Sequence, residues 1–299
     1  MTLGGFGGAS PQTIFQVGSV TKVFTALLLA SLAERGEVSL PDPAASYLPD
    51  GERGGGNPDL AGPGKVTLAD LATHTSGLPR LPPGLPWYSL LSPRDPYARY
   101  PASRLVRAAR RSLRTASGGS RYLYSNYGFG LLGYLLGQAA GSPYETLVTE
   151  RVCGPLGLRD TTFEVPTMSR DRIAQGYASR RVVPAWHFGA LAGAGGLYST
   201  AADMGKFLRA CLRPGVTPLG RAIGATLAPR LAVPSGEIGL AWHLTRHGDR
   251  TLSWHNGMTG GFSSMIAFDP VRSLGVAVLA NSGGSLPSPL DRAVFDALR

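Results

Sequence analysis

The chain contains 299 residues, of which 43% are hydrophobic, and this length is sufficient for a large buried core. Its 41 glycines and 24 prolines follow no collagen-like period and do not reach the share typical of low-complexity chains, so fibrous and disordered classes are excluded. The net charge is +10 at pH 7, but the densest arginine cluster, between residues 104 and 114, has helical spacing and favours a solvated helix face. Cys153 and Cys211 are too few for a disulfide framework.

Membrane and export signals are not apparent in this sequence. The longest apolar stretches, residues 23–33 and 127–140, are shorter than the roughly 18 residues that a membrane span needs. Residues 1–20 lack a basic segment followed by an apolar one, which favours a cytoplasmic protein as the sequence is written. A start further upstream would allow an extracytoplasmic location. No metal or organic cofactor is implied, because P-loop and His-Glu-x-x-His motifs do not occur.

The N-terminal two thirds of the chain are predicted to be mainly helical. The first strong element is a helix over residues 19–35, which is apolar almost all round and should therefore be buried. The stretches 51–64 and 79–96 are rich in glycine or proline and indicate irregular loops. Further helices are predicted over residues 68–73, 102–112, 127–140, 143–152 and 200–211.

The C-terminal third changes to short β-type runs separated by turn residues. Strands are predicted over residues 238–244, 251–254, 262–268 and 274–280, followed by a closing helix over 289–298. The pattern predicts an α+β fold with an antiparallel sheet flanked by helices. We expect one domain over residues 1–299, with a mainly helical part at about 19–205 and a sheet part formed by 1–18 and 206–299.

The start of the first helix carries a candidate nucleophile and base. Ser19 and Lys22 are three residues apart and share a face of the helix. A lysine among apolar neighbours loses solvation, which lowers its pKa and lets it accept the proton of the serine hydroxyl. The N–H of Ser19, at the helix N-terminus, is a natural oxyanion donor. A capping serine followed by a surface lysine would give the same tetrad, so the motif alone leaves both interpretations open.

A second polar group precedes the helix predicted over residues 127–140. The phenol of Tyr124 can relay a proton, and the amide of Asn126 can hold a carbonyl group or the lysine. A loop tyrosine followed by a helix-capping asparagine is the structural alternative.

A third group, His255-Asn256-Gly257, ends a predicted strand. Glycine at a strand edge allows a ligand to approach closely, and the N–H of Met258 is a candidate second oxyanion donor. A polar strand end without a role in binding is the alternative.

Together, the order Ser-x-x-Lys, Tyr-x-Asn, His-x-Gly resembles the serine β-lactamase and penicillin-binding-protein superfamily. Within it, the chain resembles the class C β-lactamase-related branch, which includes DD-carboxypeptidases, D-aminopeptidases and esterases. Further similar segments lie at residues 15–18, 73–78, 155–158 and 195–200. The resemblance extends from about residue 13 to residue 282, which is most of the chain.

The resemblance implies a β-lactamase/transpeptidase-like fold and a serine hydrolase that works through an acyl-enzyme. The bond cleaved would be an ester, an amide or a D-amino-acid peptide bond in a small molecule or short peptide. By the same resemblance Ser19 is the nucleophile, Lys22 and Tyr124 share the general-base work, and His74 is structural. The implied substrate-binding residues are Asn126, His255, Asn256, Gly257 and Met258.

Two departures from the family pattern shape these expectations. The β-lactamases of this branch have Lys-Thr-Gly at the third motif, whereas here His255 offers an imidazole with an ordinary pKa of about 6.5. This favours a peptidase or esterase over a strong β-lactamase. Family members also place a helix and two strands before the segment matching residues 1–13. Without them the sheet would expose an edge or one face. Either the true start then lies upstream or the sheet is completed in another way, for example by a partner chain in an oligomer that covers the edge.

Two other function classes remain as alternatives. A non-catalytic module could keep the cleft to bind cell-wall peptides, and the basic surface would suit such a polymer. Nucleic-acid binding rests on the charge alone, because the sequence has no helix-turn-helix, zinc-ligand or RNP-like motif, so no nucleic-acid partner is expected.

Overall fold

The computed structural model describes residues 1–49, 65–91, 94–119, 121–283 and 289–298; the loop predicted over 51–64 lies outside them. The helices in this part of the chain are α1 Thr21–Glu34, α2 Leu68–Ala72, α3 Leu85–Leu91, α4 Ala102–Thr115, α5 Asn126–Ala139, α6 Tyr144–Val148, α7 Ala192–Gly195, α8 Ala201–Leu212, α9 Pro218–Leu227 and α10 Pro289–Ala297. The strands are β1 Phe15–Gln16, β2 Tyr177–Ala178, β3 Arg181–Val182, β4 Tyr198–Ser199, β5 Leu231–Val233, β6 Gly236–Ile238, β7 His243–His247, β8 Arg250–Met258, β9 Ser263–Asp269, β10 Leu274–Ala280 and β11 Ser282–Gly283.

The main sheet among the described residues is an antiparallel meander in the order β10-β9-β8-β7-β6-β5. Strand β9 lies inside it and is buried at every position. Its side chains alternate between the two faces of the sheet. Ile266 and Phe268 belong to the large core shared with the helices, whereas Met265 and Ala267 pack with α10. The sheet therefore has helices on both faces, and the predicted α+β fold is confirmed.

Helix α1 is the buried centre of the molecule. Every residue from Thr21 to Leu32 is buried, as the all-round apolar sequence predicts, and the helix packs against α5, α7 and α9. Phe24 stacks on Phe207 of α8 at 4.4 Å between ring centroids, and Phe207 stacks on Trp242 beside the sheet at 6.2 Å. These contacts hold the first turn of α1 against the sheet.

The prediction of one continuous strand over residues 238–244 is wrong, because the chain leaves the sheet between β6 and β7. Ala241 has a φ of 65°, and its N–H donates to the carbonyl of Ala72 at 2.9 Å. The N–H of Leu240 donates to Thr226 O at 2.8 Å. These backbone N–H groups are thus hydrogen-bonded to carbonyls of two helices instead of to a neighbouring strand.

Three smaller differences from the sequence predictions concern helices. The helix predicted over 143–152 is α6 followed by a π-helical turn, Thr149–Cys153. Helix α3 interrupts the stretch 79–96 that was predicted to be irregular. Helix α9 was not predicted, although Thr217 caps it and Pro218 stands at its start, a common signal for a helix N-terminus.

Strand β10 is an outer strand of the main sheet: within the part of the chain that the structure describes, it pairs with β9 alone. None of the described helices combines the length and the hydropathy that crossing a lipid bilayer requires.

Candidate active site

Ser19 lies in a short 3-10 turn, Gly18–Val20, that leads directly into α1. Gly18 has a φ of 50°, and a Cβ atom added to it would lie 2.7 Å from the backbone nitrogen of Met258. The turn needs glycine both for this conformation and for its close approach to β8. The hydroxyl of Thr21 closes the turn by donating to Gly18 O at 2.7 Å. Ser19 is thereby fixed, half-buried, at the junction of helix and sheet.

The amino group of Lys22 is hydrogen-bonded to three oxygens. Its Nζ lies 2.9 Å from Ser19 Oγ, 2.9 Å from Asn126 Oδ1 and 2.6 Å from the carbonyl oxygen of Ala194. The side chain is fully buried, and none of the ion pairs among the described residues includes it. The structure thus brings together Ser19, Lys22 and Asn126, although Asn126 is far from the other two along the chain.

Burial lowers the pKa of Lys22 well below its ordinary value, and the positive charge of Arg80 lowers it further. Desolvation penalises the ammonium form, and no carboxylate among the described ion pairs restores it. The neutral amine has a lone pair that can accept the Ser19 proton while its two hydrogens keep the bonds to Asn126 and Ala194. Lys22 is therefore suited to act as a base.

Tyr124 lies beside both Ser19 and Lys22. Its ring faces Lys22, with Nζ 4.9 Å from the ring centroid, and its phenol interacts with the Ser19 side chain. Burial raises the pKa of Tyr124, while the contact with Ser19 opposes the rise. The phenol is thus protonated at neutral pH and can pass a proton to or from the serine oxygen.

His74 supports Tyr124 rather than the nucleophile. Its ring packs 4.4 Å from the Tyr124 ring, and its Nδ1 accepts a hydrogen bond of 3.0 Å from the N–H of Ser125. It is buried with a φ of 60°, and burial lowers its pKa. A neutral imidazole held in this way positions the segment that carries Tyr124.

The oxyanion-binding position lies between the turn and strand β8. The N–H of Thr259 donates to Phe262 O at 2.9 Å, toward β9. Because successive N–H groups of a strand alternate in direction, the N–H of Met258 points to the opposite edge, where β7 no longer pairs. A Cβ added to Gly257 would lie 2.9 Å from the nitrogen of Ser19. The turn that carries Ser19 and the end of strand β8 are therefore close neighbours, as a shared oxyanion site formed by the N–H groups of Ser19 and Met258 would require.

His255 is buried, with 1% of its surface exposed. Its Nδ1 lies 2.7 Å from the carbonyl oxygen of Asn256, which can only accept, so the ring carries its proton on Nδ1. Burial first, then the charges of His243 and Lys22, lower the pKa of His255 well below its ordinary value. The third motif therefore presents an uncharged side chain where β-lactamases of this branch have a lysine.

The side chain of Asn256 lies on the other face of the strand. Its Nδ2 donates to Asp291 Oδ2 of α10 at 3.3 Å. Alternation along a strand explains this placement, because His255 and Gly257 occupy the face toward the nucleophile. Of the residues predicted from the sequence, Asn256 has its side chain on the face away from the nucleophile, and by the same alternation so does Met258, whose backbone N–H is the group predicted to act.

Three contributors to the site were missed in the sequence. The carbonyl of Ala194 holds Lys22, and it immediately precedes the segment 195–200, whose glycines signal a close backbone approach. The hydroxyl of Tyr97 accepts a hydrogen bond of 3.3 Å from Asn126 Nδ2. Trp186 packs beside Tyr97, with ring centroids 5.6 Å apart. No sequence motif marks Tyr97 or Trp186.

Trp186 is fixed by an unusual pair of contacts to a side chain. Gln16 Nε2 donates to the carbonyl of Trp186 at 2.6 Å, and the N–H of Trp186 donates to Gln16 Oε1 at 3.0 Å. A Cβ added to Gly260 would lie 2.5 Å from the indole nitrogen. Trp186 and Tyr97 thus form an aromatic wall between Asn126 and the end of β8.

A serine hydrogen-bonded to a buried lysine, with a tyrosine beside both, is the arrangement found in serine hydrolases whose nucleophile and base lie in a Ser-x-x-Lys motif. The sequence profile of the family described as "Beta-lactamase" matches residues 2–299. The chain therefore belongs to the β-lactamase family and is a serine hydrolase of the β-lactamase-related type.

Individual relatives agree with this assignment. The chain is 30% identical to the D-alanyl-D-alanine-carboxypeptidase/endopeptidase AmpH of Escherichia coli K12, an alignment that covers 94% of this chain and 73% of that protein. It is also 30% identical to a β-lactamase of Pseudomonas fluorescens, over 90% of this chain and 80% of the relative. A crystal structure of a class C β-lactamase from Rhodobacter sphaeroides superposes with a TM-score of 0.81 at 27% identity, covering 97% of this chain and 86% of the other.

Proposed function

We propose that the enzyme forms an acyl-enzyme on Ser19 Oγ and cleaves an ester, an amide or a D-amino-acid peptide bond. The 2.9 Å contact between a buried, desolvated Lys22 and Ser19 Oγ is the observation that carries the proposal. The names of two relatives, a D-alanyl-D-alanine carboxypeptidase and a β-lactamase, support this range of substrates.

In the acylation step, Ser19 Oγ attacks the substrate carbonyl carbon and transfers its proton to the neutral amine of Lys22. The N–H groups of Ser19 and Met258 stabilise the negative charge that develops on the carbonyl oxygen. Tyr124 then delivers a proton to the leaving amine or alcohol and recovers one from Lys22. In the second step a water molecule attacks the acyl carbon, and the same groups move the protons in reverse, so that Ser19 is restored.

The third motif argues for peptidase or esterase activity over strong β-lactam hydrolysis. His255 is neutral and buried, so it offers no ammonium to a substrate carboxylate. We expect weak β-lactamase activity at most. Asn126 and Gly257 complete the substrate cleft, the first through its amide and the second through the space that it leaves.

Covalent labelling tests the proposal. A fluorophosphonate and a p-nitrophenyl ester should each label the wild-type protein at Ser19, as located by mass spectrometry of peptides. Ser19→Ala should abolish labelling and turnover, whereas Ser103→Ala, at an exposed serine of α4, should retain both. If wild type remains unlabelled and does not turn over esters, nitrocefin or a D-Ala-D-Ala peptide, the proposal is wrong, and a non-catalytic peptide-binding module becomes the better account.

A further inference from the structure

Substrate recognition at this site lacks the cation that the third motif supplies in related β-lactamases. His255 is buried and uncharged, and the hydrogens of Lys22 are occupied by Asn126 and Ala194. A substrate carboxylate near the scissile bond would therefore need another positive group. Arg80 places a guanidinium on the tyrosine that contacts the nucleophile.

The backbone of Arg80 is held firmly beside the nucleophile. Its carbonyl accepts hydrogen bonds from the N–H groups of Asn126 and Tyr127, at 2.9 and 3.2 Å, at the start of α5. Its side chain is exposed, and the guanidinium carbon lies 5.2 Å from the centroid of the Tyr124 ring. The guanidinium is thus stacked on the same tyrosine whose phenol contacts Ser19.

The ion pairs among the described residues leave the charge of Arg80 available. They engage other arginines, and none of them includes Arg80. Its field reaches the centre of the site, because it lowers the pKa of Lys22 and opposes the rise in the pKa of Tyr124. An exposed guanidinium at the mouth of a cleft is suited to bidentate recognition of a carboxylate.

The position of Arg80 also indicates which part of the substrate it meets. In the proposed reaction Tyr124 gives its proton to the leaving group, so a group stacked on Tyr124 lies on the leaving-group side. We propose that Arg80 is a specificity residue that binds a carboxylate on the leaving group. This inference rests on the proposed hydrolase function and adds the residue that selects a charged leaving group.

A matched pair of thioesters tests this proposal. The acyl part is the same in both, and the leaving group is thioglycolate in one and thioglycolate methyl ester in the other. Because the two thiols also differ in acidity, each kcat/KM is divided by the rate constant for spontaneous hydrolysis of that thioester before the ratio is taken. Thiol release gives kcat/KM for each. We expect wild type to favour the charged thioester by about 10-fold, the worth of about 1.4 kcal/mol in a half-exposed ion pair. The preference should shrink with added salt.

Arg80→Ala should bring the ratio of the two kcat/KM values close to one, and Arg80→Lys should restore part of it. Arg107→Ala removes another exposed guanidinium, from α4, and should leave the ratio as in wild type. An effect of Arg80 through the pKa of Lys22 alone would change both thioesters equally, and the ratio would stay constant.

An unchanged ratio in Arg80→Ala, or a wild-type preference for the neutral thioester, would overturn the role of Arg80 while the labelled Ser19 upholds the hydrolase. Absence of both labelling and thioester turnover in wild type would overturn the two proposals together. The labelling experiment therefore separates the two failures.

Discussion

The two faces of strand β8 carry side chains with different tasks. Toward the nucleophile, Gly257 contributes the space that its missing Cβ leaves beside Ser19, and His255 is kept neutral by burial. On this face, the site therefore depends on the absence of a Cβ atom at Gly257 and on the neutral state of His255.

Toward α10, the same strand makes ordinary packing contacts. Trp254 meets Phe295 edge to face at 5.6 Å, and Asn256 donates to Asp291. Adjacent residues of one strand lie on opposite faces. A substitution at Gly257 should therefore lower kcat/KM strongly, whereas a substitution at the neighbouring Asn256 should change it little. Four predictions test this contrast and the neutral state of the buried groups at the site.

A fall in pH should destabilise the protein more than a single substitution in strand β8 does. Burial lowers the pKa of His74 and His255, and it lowers that of His243 to about 4. The unfolded chain binds these protons near pH 6.5, so stability is complete above that pH and decreases as the pH falls below it. At pH 5.5 each histidine should cost about 1.4 kcal/mol, together about 4 kcal/mol, and Lys22, whose pKa is also lowered by burial, adds to the loss.

Urea denaturation at pH 7.5 and pH 5.5 measures this loss. Ser103→Ala, at an exposed serine of α4 that does not titrate, provides the control and should leave the difference between the two pH values unchanged. His243→Asn should reduce the difference by about 1.4 kcal/mol. Equal stability of the wild-type protein at the two pH values would contradict the inferred neutrality of the buried histidines.

Gly257→Ala should reduce kcat/KM by about 10²–10³-fold, the usual effect of losing one oxyanion donor. The new Cβ would lie 2.0 Å from Val17 O and 2.9 Å from Ser19 N, so the turn and the strand must separate. Steady-state kinetics with a neutral ester give the loss, and circular dichroism shows whether the fold persists. Activity within threefold of wild type in a folded variant would contradict this geometry.

The pH profile of kcat/KM should show an acid limb well below the ordinary pKa of lysine. Lys22 acts as a base only when neutral, so activity rises about tenfold per pH unit until its lowered pKa is passed. Removing Arg80, whose charge lowers this pKa, should move the limb to higher pH. A profile that keeps rising up to the ordinary lysine pKa in wild type would show that Lys22 is not the base.

Asn256→Ala should have the smallest effect. It removes one hydrogen bond of 3.3 Å to Asp291, worth about 0.5–1.5 kcal/mol of stability. We expect kcat/KM within about threefold of wild type, since the side chain faces away from Ser19. Kinetics and thermal unfolding of this variant beside Gly257→Ala compare the two faces directly. A large loss of activity without a loss of stability would place Asn256 in the cleft instead.

Much of the fold could be predicted because local patterns and final structure agree. The apolar surround of α1 and the strand-turn-strand pattern before α10 are local signals, and both were confirmed. The break between β6 and β7 could not be predicted, because it depends on carbonyls of Thr226 and Ala72 supplied by distant helices. The missed α9 had its signal in Thr217-Pro218.

In the candidate site, too, contacts between residues close in sequence were predictable and contacts between distant segments were not. Ser19 and Lys22 are local partners on one helix, so their contact is predictable from spacing. The side chain of Asn256 could also have been predicted to face away from the nucleophile, because side chains alternate along a strand and Gly257 occupies the facing side. The roles of Tyr97 and Trp186 depend on packing between loops far apart in the chain, and no residue pattern encodes them.

The meeting of Gly18 with Met258 has a consequence for how this enzyme can be altered. Two main-chain segments touch there without intervening side chains, so the position of the reacting oxygen tolerates almost no change of residue. At the rim of the cleft, Arg80 is instead an exposed side chain whose exchange leaves this junction intact. New substrate preferences should therefore be sought by varying the rim while the junction beneath it is left untouched.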